Sequence, residues 1–167
     1  MDFVRRALSL TLDYTPETLP LLDHYLGTVP QDQPDTVRLV ASTAGAYFGE
    51  VVRKAIGGHW EDREDLAPID WKLRLAGDVA ICPGGMAALA VLQAESEGVD
   101  GEYDVPSASQ PLVEDALASR GRVAEDEFYS LSGRLEVLRW IIDIVLGGAN
   151  LRAKEPEDPD ADDGEPS

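Results

Sequence analysis

Residues 69–82 read IDWKLRLAGDVAIC, and this stretch decides the fold. Ile69, Trp71, Leu73 and Leu75 alternate with Asp70, Lys72 and Arg74, the period-two pattern of a strand with one covered and one wet face. Gly77-Asp78 then marks a turn into Val79, Ala80, Ile81 and Cys82, so the segment predicts an antiparallel hairpin. His59 and Trp60 read as a third strand, and Pro83-Gly84 ends the sheet. Trp71 belongs to the structural set on this pattern, and all three tryptophans, Trp60, Trp71 and Trp140, are expected in the core.

Upstream, Val37, Val40, Ala44, Phe48, Val51 and Ala55 recur at steps of three and four and predict a long helix stopped by Gly57 and Gly58. Gly45 and Gly49 lie on adjacent turns of that helix, where missing side chains let another backbone approach. Earlier still, Leu19, Leu22 and Leu26 predict a short helix ending near Gly27, capped by Thr15 or Thr18, with Pro20 tolerated only in its first turn. Phe3–Leu12 reads as a helix passing into an extended segment.

Downstream, Met86, Leu89 and Gln93 predict a helix closed by Gly98. Residues 98–111 read as a loop, and Pro111–Arg120 as a short helix closed by Gly121. The last helix carries Phe128, Leu131, Leu135, Leu138, Ile142 and Val145 on one stripe, ends at Gly147-Gly148, and has Glu125, Asp126 and Glu127 at its positive end. That stripe packs within its own domain or forms a seam for self-association. The expected fold is α+β: a mostly helical single domain over 1–150, with a small antiparallel sheet on the long central helix and a long C-terminal helix. Residues 151–167 form an acidic tail, expected to be disordered.

The 167 residues suffice to bury roughly 70% of the unfolded surface. With 32 Asp and Glu against 14 Lys and Arg, the net charge is −18. Such a field repels nucleic-acid phosphates and anionic membranes, so neither is an expected partner. Seven of the acids lie in residues 155–167, which leaves 25 acids against 14 bases before them. The longest apolar run, Met86–Leu92, is too short for a membrane helix, which requires about 20 residues. One cysteine, and no stretch resembling an export signal near Met1, point to the cytoplasm.

The catalytic options are few. His24 has no Cys beside it and no second His at helical spacing, which makes it a surface histidine. His59 follows the glycine pair and lies near Glu50, a conceivable acid–base pair, although Lys54 is also placed to pair with Glu50. Cys82 before Pro83-Gly84-Gly85 reads as a small core residue rather than an activated thiol. Ser42 and Thr43 have no nearby base, and PGGM lacks the residues of a phosphate loop. The acidic groups Asp62, Glu64, Asp65 and Asp100, Glu102, Asp104 are not a metal loop on count alone; the second imitates alternating calcium ligands but lacks the turn glycine and closing Glu of a calcium loop. No metal and no cofactor is expected.

The segments LTLDYTPETLPLLDHYL (11–26 with Leu10 before it) and AGAYFGEVVRKAIGGHW (44–60), followed by Ile81-Cys82-Pro83, are similar to a group of uncharacterised bacterial proteins over about the first 95 residues. The resemblance centres on Gly45-Ala46-Tyr47-Phe48-Gly49-Glu50 with Gly57, Gly58 and Trp60. It implies a shape of helix, long helix, small sheet and helix, but no activity. It also implies that Gly49, Glu50 and Trp60 form one unit, the glycine admitting the sheet and Glu50 bonding a nearby backbone.

The functional expectation is a non-catalytic binding or regulatory module whose acidic surface engages a protein with a basic surface, as inhibitors and immunity-type proteins do. Glu50, Arg53, His59 and Trp60 are its binding candidates. One alternative is a small enzyme using Glu50 and His59 in a cleft between helix and sheet. The other is a self-assembling structural protein, a homo-oligomer built through the last helix.

Overall fold

The computed structural model describes residues 13–121 and 123–154. The expectations for Phe3–Leu12 and for Glu155–Ser167 lie outside them. A 3-10 turn, Pro16–Thr18, leads into α1 (Leu19–Leu26), then α2 (Pro34–Ile56), β1 (His59–Glu61), β2 (Lys72–Arg74), β3 (Ala80–Ile81) and α3 (Pro83–Leu92). The chain continues through β4 (Tyr103–Asp104), α4 (Gln110–Ser119), α5 (Glu125–Tyr129) and α6 (Leu131–Lys154). This is the expected α+β fold, with a four-stranded antiparallel sheet in the order β1-β2-β3-β4 and a long closing helix.

The hairpin forms, but it is shorter than the alternation suggests. Its pairs are Leu73 with Ile81 and Arg74 with Ala80, and Leu75 N–H donates to the Val79 carbonyl at 2.8 Å. Ile69 falls instead in a 3-10 turn, Pro68–Asp70, because a proline at its first position removes the donor a strand would need. The hairpin loop is a second 3-10 turn, Ala76–Asp78, with Gly77 at φ 70°. β1 pairs with β2 through Trp60 and Leu73. β4 lies inside the expected loop 98–111, where two residues carry too little pattern to read.

The centre of the molecule is α3. Pro83 to Val91 are all buried, which explains an Ala- and Gly-rich helix with no polar side until its end. α2 packs on it and buries Val37, Val40, Ala44, Phe48 and Val51, while Ala55 is exposed and Val52 takes its place in the core. The contact is a glycine seam: a Cβ on Gly45 would lie 2.5 Å from Gly84 Cα. A Cβ on Gly84 would overlap the Ile69 carbonyl, and one on Gly85 the Asp100 carbonyl. Three backbones therefore converge on the first turn of α3. α2 ends as expected at Gly57, whose φ of 96° disfavours any side chain.

α3 closes at Gln93 in a left-handed conformation, φ 53°, rather than at Gly98, and Gln31 Nε2 secures its end by donating to the Val91 carbonyl at 2.9 Å. The threonines near α1 do not cap it with their side chains; the Thr18 hydroxyl instead donates to the Thr15 carbonyl and shares a hydrogen bond with the Tyr47 hydroxyl.

The expected single last helix is two. Ser130, at ψ 143°, separates α5 from α6 and caps the latter, its Oγ accepting from Gly133 N–H at 3.0 Å. Asp23 of α1 accepts from Leu131 N–H at 2.6 Å and from Ser132 N–H at 3.1 Å. The free donors of the first turn are thus satisfied from two directions. Leu131, Leu135, Leu138, Ile142 and Val145, with Ile141, are buried against the rest of the chain, which removes them from any exposed self-association seam. Only Phe128 of that set is exposed, because it sits on α5. α6 also runs through Gly147-Gly148 to Lys154, so 151–154 extend the last helix rather than starting the tail.

Candidate functional site

The sequence candidates divide in two. Glu50 and Arg53 lie on the last turns of α2, and Trp60 on β1 folds back over them. The Trp60 indole donates to Glu50 Oε1 at 2.8 Å, and Arg53 Nη2 donates to Glu50 Oε2 at 2.9 Å. Gly49 makes room for this: a Cβ there would overlap the Trp60 ring. The glycine therefore admits an indole rather than the sheet backbone, and Glu50 bonds two side chains rather than a backbone group. The Arg53 guanidinium first, then the indole, holds the Glu50 carboxyl below its ordinary pKa.

His59 is exposed on the same strand, and no hydrogen bond joins it to Glu50 among the described residues. Glu50 is engaged with Arg53, not with Lys54, whose ammonium sits 4.8 Å from the Tyr14 ring. A carboxylate held by an arginine and an indole is a poor general base, because both partners stabilise its charged form. The geometry around Glu50 is that of a clasp between helix and sheet.

The other singled-out residues have structural surroundings. Cys82 is buried, its thiol donating to the Ile69 carbonyl at 3.3 Å, and burial pushes its pKa up, away from a reactive thiolate. His24 is exposed. Asp100 and Asp104 both pair with Lys72, which turns the apparent acidic cluster into a tie between β2, β4 and the preceding loop. Among the described residues no group of His, Cys, Asp and Glu is placed to hold a metal. None of the three tryptophans is fully buried: Trp71 donates to the Arg63 and Leu66 carbonyls, and Trp140 stacks under Arg120 at 5.4 Å.

The cavity that composition and motifs did not reveal lies elsewhere, among α4, α5, the first half of α6 and the approach to β4. It has a volume of about 380 Å³ and an apolar wall that includes Tyr103, Leu117, Val123, Phe128 and Val137. Exposed Glu95, Glu102, Glu127 and Glu136 stand at its mouth, and Arg134 lines its interior. Burial raises the Tyr103 phenol above its ordinary pKa, so it stays neutral and donates to the Arg134 carbonyl at 3.5 Å.

Arg134 is 4% exposed. Its Nη1 donates to the Gly101 carbonyl at 2.6 Å, and its guanidinium lies 5.6 Å from the Tyr103 ring and 5.5 Å from the Phe128 ring. A signal for it existed: Arg134 stands three residues after Leu131 and four before Leu138, a charge placed at core spacing. No family model, curated protein or solved structure matches the chain.

Proposed function

We propose that the chain is a non-catalytic binding module that engages a protein partner through its acidic surface, the partner presenting a basic one. The observation that carries this reading is the distribution of ion pairs. Arg53, Arg63, Lys72 and Arg74 are paired with carboxylates, Lys54 and Arg120 lie on aromatic rings, and Arg134 is buried. Seven of the fourteen bases are therefore engaged within the molecule. Exposed acids such as Asp62, Glu64, Glu97, Asp115 and Asp143 have no ion pair among the described residues, and four glutamates ring the cleft. Such a surface speeds encounter with a cationic partner and makes binding salt-sensitive. Among the described residues no helix is long and apolar enough to cross a membrane.

Affinity capture on the full chain across a salt series tests this, beside a form truncated after Lys154 and a form with Glu95, Glu102, Glu127 and Glu136 changed to Gln. The expected result is retention of a basic protein at low salt, release as salt rises, and weakened capture by at least one altered form. Failure of the unaltered chain to retain any basic protein at low salt removes the proposal.

A further inference from the structure

Arg134 is a cation in the wrong place for a structural role alone. It is almost wholly buried, Gly101 supplies only a neutral carbonyl to Nη1, and Nε has no hydrogen-bond partner. No carboxylate lies within ion-pair distance among the described residues, in a chain with 32 acids. It also sits at the fourth position of α6, near the positive end of the helix, where a cation is disfavoured. Burying an unpaired charge is costly, and buried charges are normally paired. The missing partner is an anion, and Arg134 lines the cleft.

The walls say what kind of anion. Tyr103, Leu117, Val123 and Phe128 offer apolar and aromatic surface, which suits a ligand with an apolar body. The four glutamates at the mouth repel a multiply charged species such as a phosphate or nucleotide. Gly101 occupies only Nη1 of the Arg134 guanidinium, a planar donor group of the kind that matches a carboxylate.

We propose that the cleft is a binding site for a small organic monocarboxylate with an apolar body, the carboxylate accepting hydrogen bonds from Arg134 and the body lying against Tyr103 and Phe128. The site stands independently of the protein-partner reading, since a small acid and a basic protein are assayed separately.

The test is calorimetric titration of the full chain with 4-phenylbutyrate and with octanoate, with inorganic phosphate and 4-phenylbutylamine as controls. Proton–nitrogen spectra that follow the Arg134 Nε–H locate the site. Saturable binding of at least one acid is expected, with the Arg134 Nε–H resonance shifted and neither control competing. Arg134→Met, which keeps volume and removes charge, should weaken binding about tenfold or more. Phe128→Ala should weaken it several-fold; the residue is 51% exposed, so the fold survives its loss and the test holds even where R134M does not fold. Absence of saturable binding by both acids, an unmoved Arg134 resonance, undiminished affinity in a folded R134M, or equal competition by phosphate would each overturn the proposal.

Discussion

The starts of α3 and α6 solve one problem by opposite means. Each must bring a helix N-terminus against other parts of the chain without stranding its backbone donors. At α3 the solution is subtraction: Pro83 has no donor to satisfy, Cys82 gives no side-chain cap, and Gly84 and Gly85 clear space for neighbouring backbones. At α6 it is addition: Asp23 and Ser130 supply acceptors, and Arg134 brings a charge into the interior. A start built by subtraction tolerates no side chain. One built by addition tolerates change in proportion to the polar atoms lost, which is also why a ligand-sized cleft can persist beside it.

The largest effect should come from breaking the first. Gly84→Ala sets a Cβ onto the Ile69 carbonyl, a backbone atom that cannot swing aside, and should destabilise by about 3 kcal/mol or more or prevent folding. Gly147→Ala is the internal comparison: nothing lies within 4 Å of its Cβ, so it should gain up to about 1 kcal/mol from helix propensity. Urea midpoints of the two variants against the parent check both signs. Equal, small effects would mean that the seam relaxes freely.

Next comes the added start. Asp23→Ala removes the acceptor for Leu131 N–H, Ser132 N–H and the Ser132 hydroxyl, which donates at 2.6 Å. The expected loss is about 1.5–3 kcal/mol, because part-buried donors are left unsatisfied at a helix end. Asp23→Asn keeps one accepting oxygen and should lose less than half as much. Equilibrium unfolding separates them, and hydrogen exchange should show faster opening at Leu131 and Ser132 than at Met86 in α3. An alanine variant as stable as the parent would show that water serves these donors equally well.

The same contrast explains what the sequence could reveal. The stripes Val37 to Val51 and Leu131 to Val145 were legible because burial of one helix face imposes a period, and the Leu73–Ile81 pairing because a covered sheet imposes another. Gly45 was legible as a gap, but its occupant, the Gly84 backbone, was not, since contact between distant segments leaves no local pattern. The Ser130 break was hidden because Phe128 continues the spacing of the stripe while belonging to another helix. Asp23 was unreadable as a cap, for its donors lie more than a hundred residues away. Arg134 was visible only as one charge at core spacing, and its loneliness is a property of the assembled cleft.

The smallest effect concerns the clasp at the far end of the glycine-bearing helix. Trp60 covers Gly49 and bonds Glu50, so a subtraction and an ion pair meet there. Glu50 has its pKa lowered in the folded state by Arg53 and then Trp60, which means the ionised form is favoured by folding. Its contribution is therefore fully present above the ordinary carboxyl value of 4.5 and is lost as pH falls through the lower folded value. With side chains 30% and 43% exposed, Glu50 and Arg53 are screened by water, so Glu50→Gln should lose less than about 1 kcal/mol at neutral pH. The difference between parent and variant should shrink toward zero near about pH 3, as measured by urea midpoints at stepped pH. A difference that persists unchanged in acid would assign the clasp to the indole packing over Gly49 and leave the charge with no part in it.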